Sequence, residues 1–203
     1  MGGRASVLIA DLASPDITRL VADAQAQLGP LTVLVNNASL FERDSAATFD
    51  AAAFDRHMAV NVRAPLALSS AFHAAAPLGA PCVIVNVLDQ RVARLNPYYF
   101  TYTLSKSALW TATKTLAQAF APGTRVNAVA PGPVLPNVND GRDAFENEAA
   151  AVPLQAAAEP QEVAEAVAYL VNARSVTGQT IYVDGGQRLA WRTPDVVSGY
   201  EGN

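Results

Sequence analysis

The chain has 203 residues, of which 51% are hydrophobic and 16% charged, and a net charge of −4. These totals describe one globular domain with a core large enough to fold without cross-links, and they exclude a disordered chain. The acidic balance gives no electrostatic basis for binding nucleic acid or an anionic membrane, and no apolar run approaches the ~20 residues of a membrane span.

In chain order, residues 7–11 read as a buried strand ending in Asp11. Ser14 and Pro15 read as the cap and first position of a helix carrying Ile17, Leu20, Val21, Ala24 and Leu28, stopped by Gly29-Pro30. Residues 31–35 are a second continuous apolar run, of the kind covered on both faces in a parallel sheet. An alanine-rich helical region spans 51–76, with a break expected near Asn61 and Pro65. Strands are predicted at 81–87, 125–130 and 180–183, and helices at 99–120 and 160–172, the latter with Val163, Ala164, Val167, Leu170 and Val171 inward. Residues 137–152 read as a polar helical flap, and Asp184-Gly185-Gly186 as a structural turn. Alternating strands and helices predict a doubly wound, mostly parallel α/β sheet of Rossmann type in three layers. Cys82 is the single cysteine and sits in a predicted strand; His57 and His73 lack ligand spacing, so no metal is expected. The start lacks the layout of a signal peptide, so a cytoplasmic location is expected.

The chemistry centres on Tyr102-Thr103-Leu104-Ser105-Lys106. Leu104, Ala108, Ala112 and Leu116 recur every four residues, with Leu109 and Phe120 beside them, and predict an apolar helix face. Residues four apart share a face, so Tyr102 and Lys106 can project together. An ammonium beside a phenol favours the phenolate and brings its pKa towards the working range of an acid/base group. Taken alone, Tyr-x-x-x-Lys is also a common surface pattern.

Flanking motifs decide between these readings. Leu34-Val35-Asn36-Asn37-Ala38, Asn61-Val62-Arg63-Ala64-Pro65, Tyr102 with Lys106, residues 125–132 and Val183-Asp184-Gly185-Gly186 resemble, in order and spacing, the short-chain dehydrogenase/reductase family. Within it, Ser39 where most members carry glycine, Phe41, and Asp89 where most carry a catalytic serine resemble pteridine reductases.

That resemblance implies an NADP(H)-dependent oxidoreductase, with NAD(H) as the open alternative. Tyr102, Lys106, Asp89 and Asn61 would be catalytic, Asn61 binding a relay water and holding a helix kink. Asp89 would pass a proton towards a ring nitrogen if burial favours its neutral form. Asp11, Leu12, Asn37, Ala38, Ser39, Tyr102, Lys106, Pro131 and Gly132 would line the cofactor, and Ser39, Phe41, Asp89 and Tyr102 the substrate. Each has a plainer structural reading: Asp11 as a helix-entry acid, Asp89 as a strand-end turn, Phe41 as core packing. The implied substrate is a pterin; a carbonyl compound of the 3-oxoacyl type is the alternative. A homo-oligomer, dimer or tetramer, is implied through helices 51–76 and 99–120. Gly2-Gly3 follows no strand, so the family's glycine-rich cofactor turn and at least one βαβ unit of ~30 residues are expected to be missing from this single domain. A chain so shortened could instead be a catalytically silent oligomerisation module.

Overall fold

Four apolar runs pair into one parallel sheet: β1 (Val33–Asn36), β2 (Cys82–Val87), β3 (Thr124–Pro131) and β4 (Thr180–Val183), in that spatial order. Six α-helices are described: α1 (Arg19–Leu28), α2 (Ala51–Met58), α3 (Ala64–Ala74), α4 (Phe100–Phe120), α5 (Gly141–Ala151) and α6 (Pro160–Asn172). The structure, a computed structural model, describes residues 3–137 and 141–191. Part of the expected 137–152 flap therefore lies outside the described residues. No helix among them is long and apolar enough to cross a membrane.

Alternation along the central strands requires apolar cover on both sides. On one face Cys82, Ile84 and Val126 pack against Ile17 and Val21, Leu68 and Phe72 of α3, and Ala117 of α4. On the other, Val83, Val85 and Val129 pack against Leu170 of α6. The result is the expected three-layer α/β/α architecture of Rossmann type.

The structure corrects five expectations. Residues 7–11 form no strand, and Val7 and Ile9 lie open to solvent. A strand needs a ladder partner for its backbone, and no described strand lies beyond β1 to supply one. For the same reason β1 is an edge strand, its Val33 and Val35 partly exposed rather than covered on both faces. Ser14 does not start a helix: successive turns run through Thr18, and α1 begins at Arg19. In α6 Ala164 faces out and Ala166 packs with Val163 and Val167. On α4 the most buried face keeps Leu109 of the predicted one but is otherwise Tyr102, Ser105, Lys106, Thr113 and Ala117, while Leu104 is exposed. Periodicity marks an apolar face; it does not say which way that face turns.

Two local devices set the position of α4. The expected break in the 51–76 region is a π turn, Ala59–Arg63, ahead of Pro65 in the first turn of α3. The extra residue of such a turn bulges the helix, and here it carries the buried Asn61. At the other end Tyr99, the N-cap of α4, is left-handed at φ 56° and caps nothing with its side chain. For a bulky residue that conformation costs about 1–2 kcal/mol. Its ring is stacked on Phe41, and its amide donates to the Asp44 carbonyl at 3.1 Å, which together hold it. The Asp44 carboxylate then accepts from the Thr101 amide at 3.1 and 3.2 Å, satisfying a first-turn N–H from outside the helix.

Asp44→Ala should lower stability by about 1 kcal/mol, as loss of a capping carboxylate does, while Asp44→Asn keeps most of it. Urea unfolding of the two variants checks this.

Candidate active site

Tyr102 and Lys106, one turn apart on α4, both face the carboxyl end of β2. Lys106 Nζ donates to the carbonyl of Val87, the last residue of that strand, at 2.8 Å. Two residues on, Asp89 Oδ2 accepts from the Tyr102 hydroxyl at 2.9 Å. Asp89 also caps the short 3-10 turn Gln90–Val92, Oδ1 accepting from the Arg91 amide at 2.8 Å. Arg91 Nη1 closes an ion pair on Oδ2 at 3.1 Å, with both side chains only 15% exposed. The carboxylate thus accepts from a phenol, an amide and a guanidinium at once, a charge-assisted cluster shielded from water.

This cluster decides the charge states. Burial, then the charge of Asp89 and its hydrogen bond, push the Tyr102 phenol well above the ordinary tyrosine range; the Arg91 guanidinium and the Ser39 hydroxyl pull the other way. The expectation that Lys106 brings the phenol down is therefore corrected: desolvation and a neighbouring anion outweigh the cation. Lys106 is itself lowered to about 8 by burial, with Asp89 opposing. Burial would lower Arg91, but Asp89, Tyr102 and Glu148 more than restore it, and its pKa is raised.

Phe41 lies at the centre of an aromatic group. It stacks on Tyr99 with ring centres 4.2 Å apart and planes 9° apart, and meets Tyr102 edge-on at 4.6 Å and 74°. Arg91 lies 5.6 Å from the Phe41 ring and 5.4 Å from that of Tyr99, alongside the pair. Phe41, Asp89, Arg91 and Tyr102 line one cleft of about 550 Å³, together with Gly132 and with Phe145 and Glu148 of α5.

Asn61 accounts for the loop before Phe41. Its Oδ1 accepts from the Leu40 amide at 2.8 Å and the Ser39 hydroxyl at 3.2 Å. Its Nδ2 donates to the Leu40 carbonyl at 2.9 Å and the Ser105 hydroxyl at 3.0 Å. Both amide protons are used and Oδ1 accepts from the Leu40 amide, so the side chain is committed to this loop. What it does is fasten Ser39 and Leu40 to α4.

The predicted cofactor-lining residues divide. Leu12, Asn37 and Ala38 come together at a second, apolar cleft of about 250 Å³ beside the end of β1. Asp11 is exposed and turns back on itself, accepting from the Ala13 amide at 2.8 Å; it stands apart from that cleft. Pro131 ends β3, and a side chain on Gly132 would come within 2.8 Å of the Asp184 backbone. Gly132 also donates to the Val183 carbonyl at 2.9 Å, which keeps the floor of the cleft flush with β4. Asp184-Gly185-Gly186 is a structural turn as expected, Asp184 accepting from the Gly186 and Arg188 amides.

Comparison with known proteins places this geometry. The family model described as enoyl-(acyl carrier protein) reductase matches residues 2–188. The structure of FolM alternative dihydrofolate reductase 1 from Brucella canis, complexed with NADP, superposes with a TM-score of 0.91 at 49% identity, over 94% of this chain and 76% of that one. Dihydromonapterin reductase of Klebsiella pneumoniae is 30% identical over 186 residues, 90% of this chain and 77% of its own. Glucose 1-dehydrogenase of Gluconobacter oxydans is 31% identical over 199 residues, 93% and 74%. The chain belongs to the short-chain dehydrogenase/reductase family.

As a member of that family the chain is an NAD(P)-dependent oxidoreductase. Its residues fit the nicotinamide end of a dinucleotide: a buried lysine and phenol on one helix face, beside the ends of three adjacent parallel strands where such folds bind ligands. Among the described residues no glycine-rich turn leads from a strand into a helix to cradle a pyrophosphate. Sequence reasoning missed Arg91, Glu148 and Tyr99. Arg91 stands two residues after Asp89, where a capped turn would place it; Glu148 gives no signal in an acidic helix.

Asp89→Asn removes the charge that helps hold the phenol protonated, so Tyr102 should ionise at lower pH than in the wild type. Tyrosinate absorbance, with Tyr102→Phe as the blank, measures the shift and its sign.

Proposed function

We propose that the chain reduces a pterin or dihydropterin ring, with Tyr102 delivering the proton. The observation that carries this reading is the 2.9 Å bond from Tyr102 to Asp89 in a cleft walled by Phe41. A flat ring laid against Phe41 gains about 0.5–1.5 kcal/mol from stacking beyond area burial. The Tyr102 hydroxyl would then stand beside a ring nitrogen. A bound reduced nicotinamide, NADPH by likeness to the Brucella protein, supplies the hydride. Lys106 and Tyr102 hold the nicotinamide ribose, Asn37, Ala38, Pro131 and Gly132 line the rest of that end, and Asp11 with Leu12 the adenine end.

In this reading Asp89 works as the acceptor that orients the phenol, because Arg91 keeps its carboxylate paired. The proton delivered is the phenol's own, and the Arg91 charge favours the phenolate left behind. Any relay water at Asn61 uses its main-chain carbonyl in the π turn. Ser39, fastened by Asn61, lines the substrate side.

Leu104, exposed on α4, supports assembly of a homodimer or tetramer through α4 and the α2–α3 stretch. A cytoplasmic location belongs to the same reading. The alternative reading is a catalytically silent oligomerisation module. Fluorescence titration of the 203-residue chain with NADPH separates the two, micromolar binding supporting the enzyme and none at millimolar supporting the silent module.

NADPH oxidation should be seen with dihydrobiopterin or dihydrofolate, and Tyr102→Phe should lower kcat by about 10²–10⁴-fold. Turnover of only a ketone or 3-oxoacyl compound would replace the pterin reading with that of a carbonyl reductase.

A further inference from the structure

The cleft holds a second pair of groups that the proton-delivery reading leaves unused. Arg91 enters from the β2–α4 connection, and Glu148 from α5. Each is held by a residue of its own. Arg91 lines the cleft; its Nη1 is tied to Asp89 at 3.1 Å and its Nε is buried, which leaves Nη2 as the nitrogen committed to neither. Glu148 Oε1 accepts from Gln187 Nε2 at 2.7 Å, which leaves Oε2. The two lie near enough for the Glu148 charge to favour the guanidinium, yet Arg91 makes its ion pair with Asp89. A fixed donor and a fixed acceptor therefore face one space without consuming each other.

We infer that Arg91 and Glu148 read a lactam edge, an N–H beside a C=O, on the flat substrate, and so determine its specificity. A carboxylate only accepts and a guanidinium only donates, so the pair matches an N–H next to a carbonyl and rejects the reverse. Both are oriented before binding, so little side-chain entropy is lost when the edge arrives. An acyl chain or simple ketone would leave both charges desolvated without partners, which is costly. The inference rests on the pterin reading and narrows it: the ring enters with its lactam edge between α5 and Arg91.

The test is equilibrium binding of two non-reacting fluorescent ligands, a pterin and its N3-methylated analogue, followed by quenching of ligand fluorescence. The wild-type chain should prefer the pterin on the order of tenfold, the size of one charge-assisted hydrogen bond. Glu148→Ala should erase that preference, and Glu148→Gln should keep part of it. Because the preference is a ratio on one protein, partial loss of fold does not imitate its loss. Arg91→Lys should retain more pterin affinity than Arg91→Met. An equal preference in wild type and Glu148→Ala would overturn the inference and leave the reductase reading standing. No binding of either ring by the wild type would overturn both.

Discussion

The site depends on a buried row of three groups, the Tyr102 phenol, the Asp89 carboxylate and the Arg91 guanidinium. In a water-poor cleft a carboxylate without a cation would be costly, and a phenol beside it would hold its proton more tightly still. Arg91 resolves the first problem and moderates the second. Lys106, buried and lowered to about 8, stands beneath the phenol with its ammonium fixed on the end of β2. The charges are thus arranged so that the phenol is the group that carries a proton to give.

The fold fixes this row through few contacts. β2 ends just before Asp89, so the central strand sets where the carboxylate begins. α4 brings Tyr102 and Lys106 together by helical spacing, and Asp44 and the left-handed Tyr99 fix where that helix starts. Asn61, turned to the interior by a π turn, joins the Ser39–Leu40 segment to α4 through its amide group, and Phe41 follows directly. Removing any one of these would leave the residues present but misaligned, and small misplacements are what proton transfer tolerates least.

Much of this was legible in the sequence because its signals are local. Tyr102 and Lys106 four apart, Asp89 after an apolar run, and the Asn61–Pro65 break are each written within a few residues, and the structure brings Tyr102, Lys106, Asp89 and Phe41 together. What was illegible depends on neighbours. An apolar run such as 7–11 looks buried whether or not a strand lies beside it. The Leu104 stripe looks like a core face whether it meets the sheet or solvent. The direction of the Tyr102 shift depended on how deeply the phenol is buried and on Asp89, which helical spacing to Lys106 does not report. Arg91 and Glu148 come from separate segments that no short motif joins, and only the cleft shows that they share a space.

The most direct measurement is a crystal structure of the chain with NADP and a bound pterin. The account predicts the ring lying against Phe41, with a ring nitrogen within hydrogen-bond reach of the Tyr102 hydroxyl. A pterin seated elsewhere, or one whose nearest proton donor is another side chain, would contradict it.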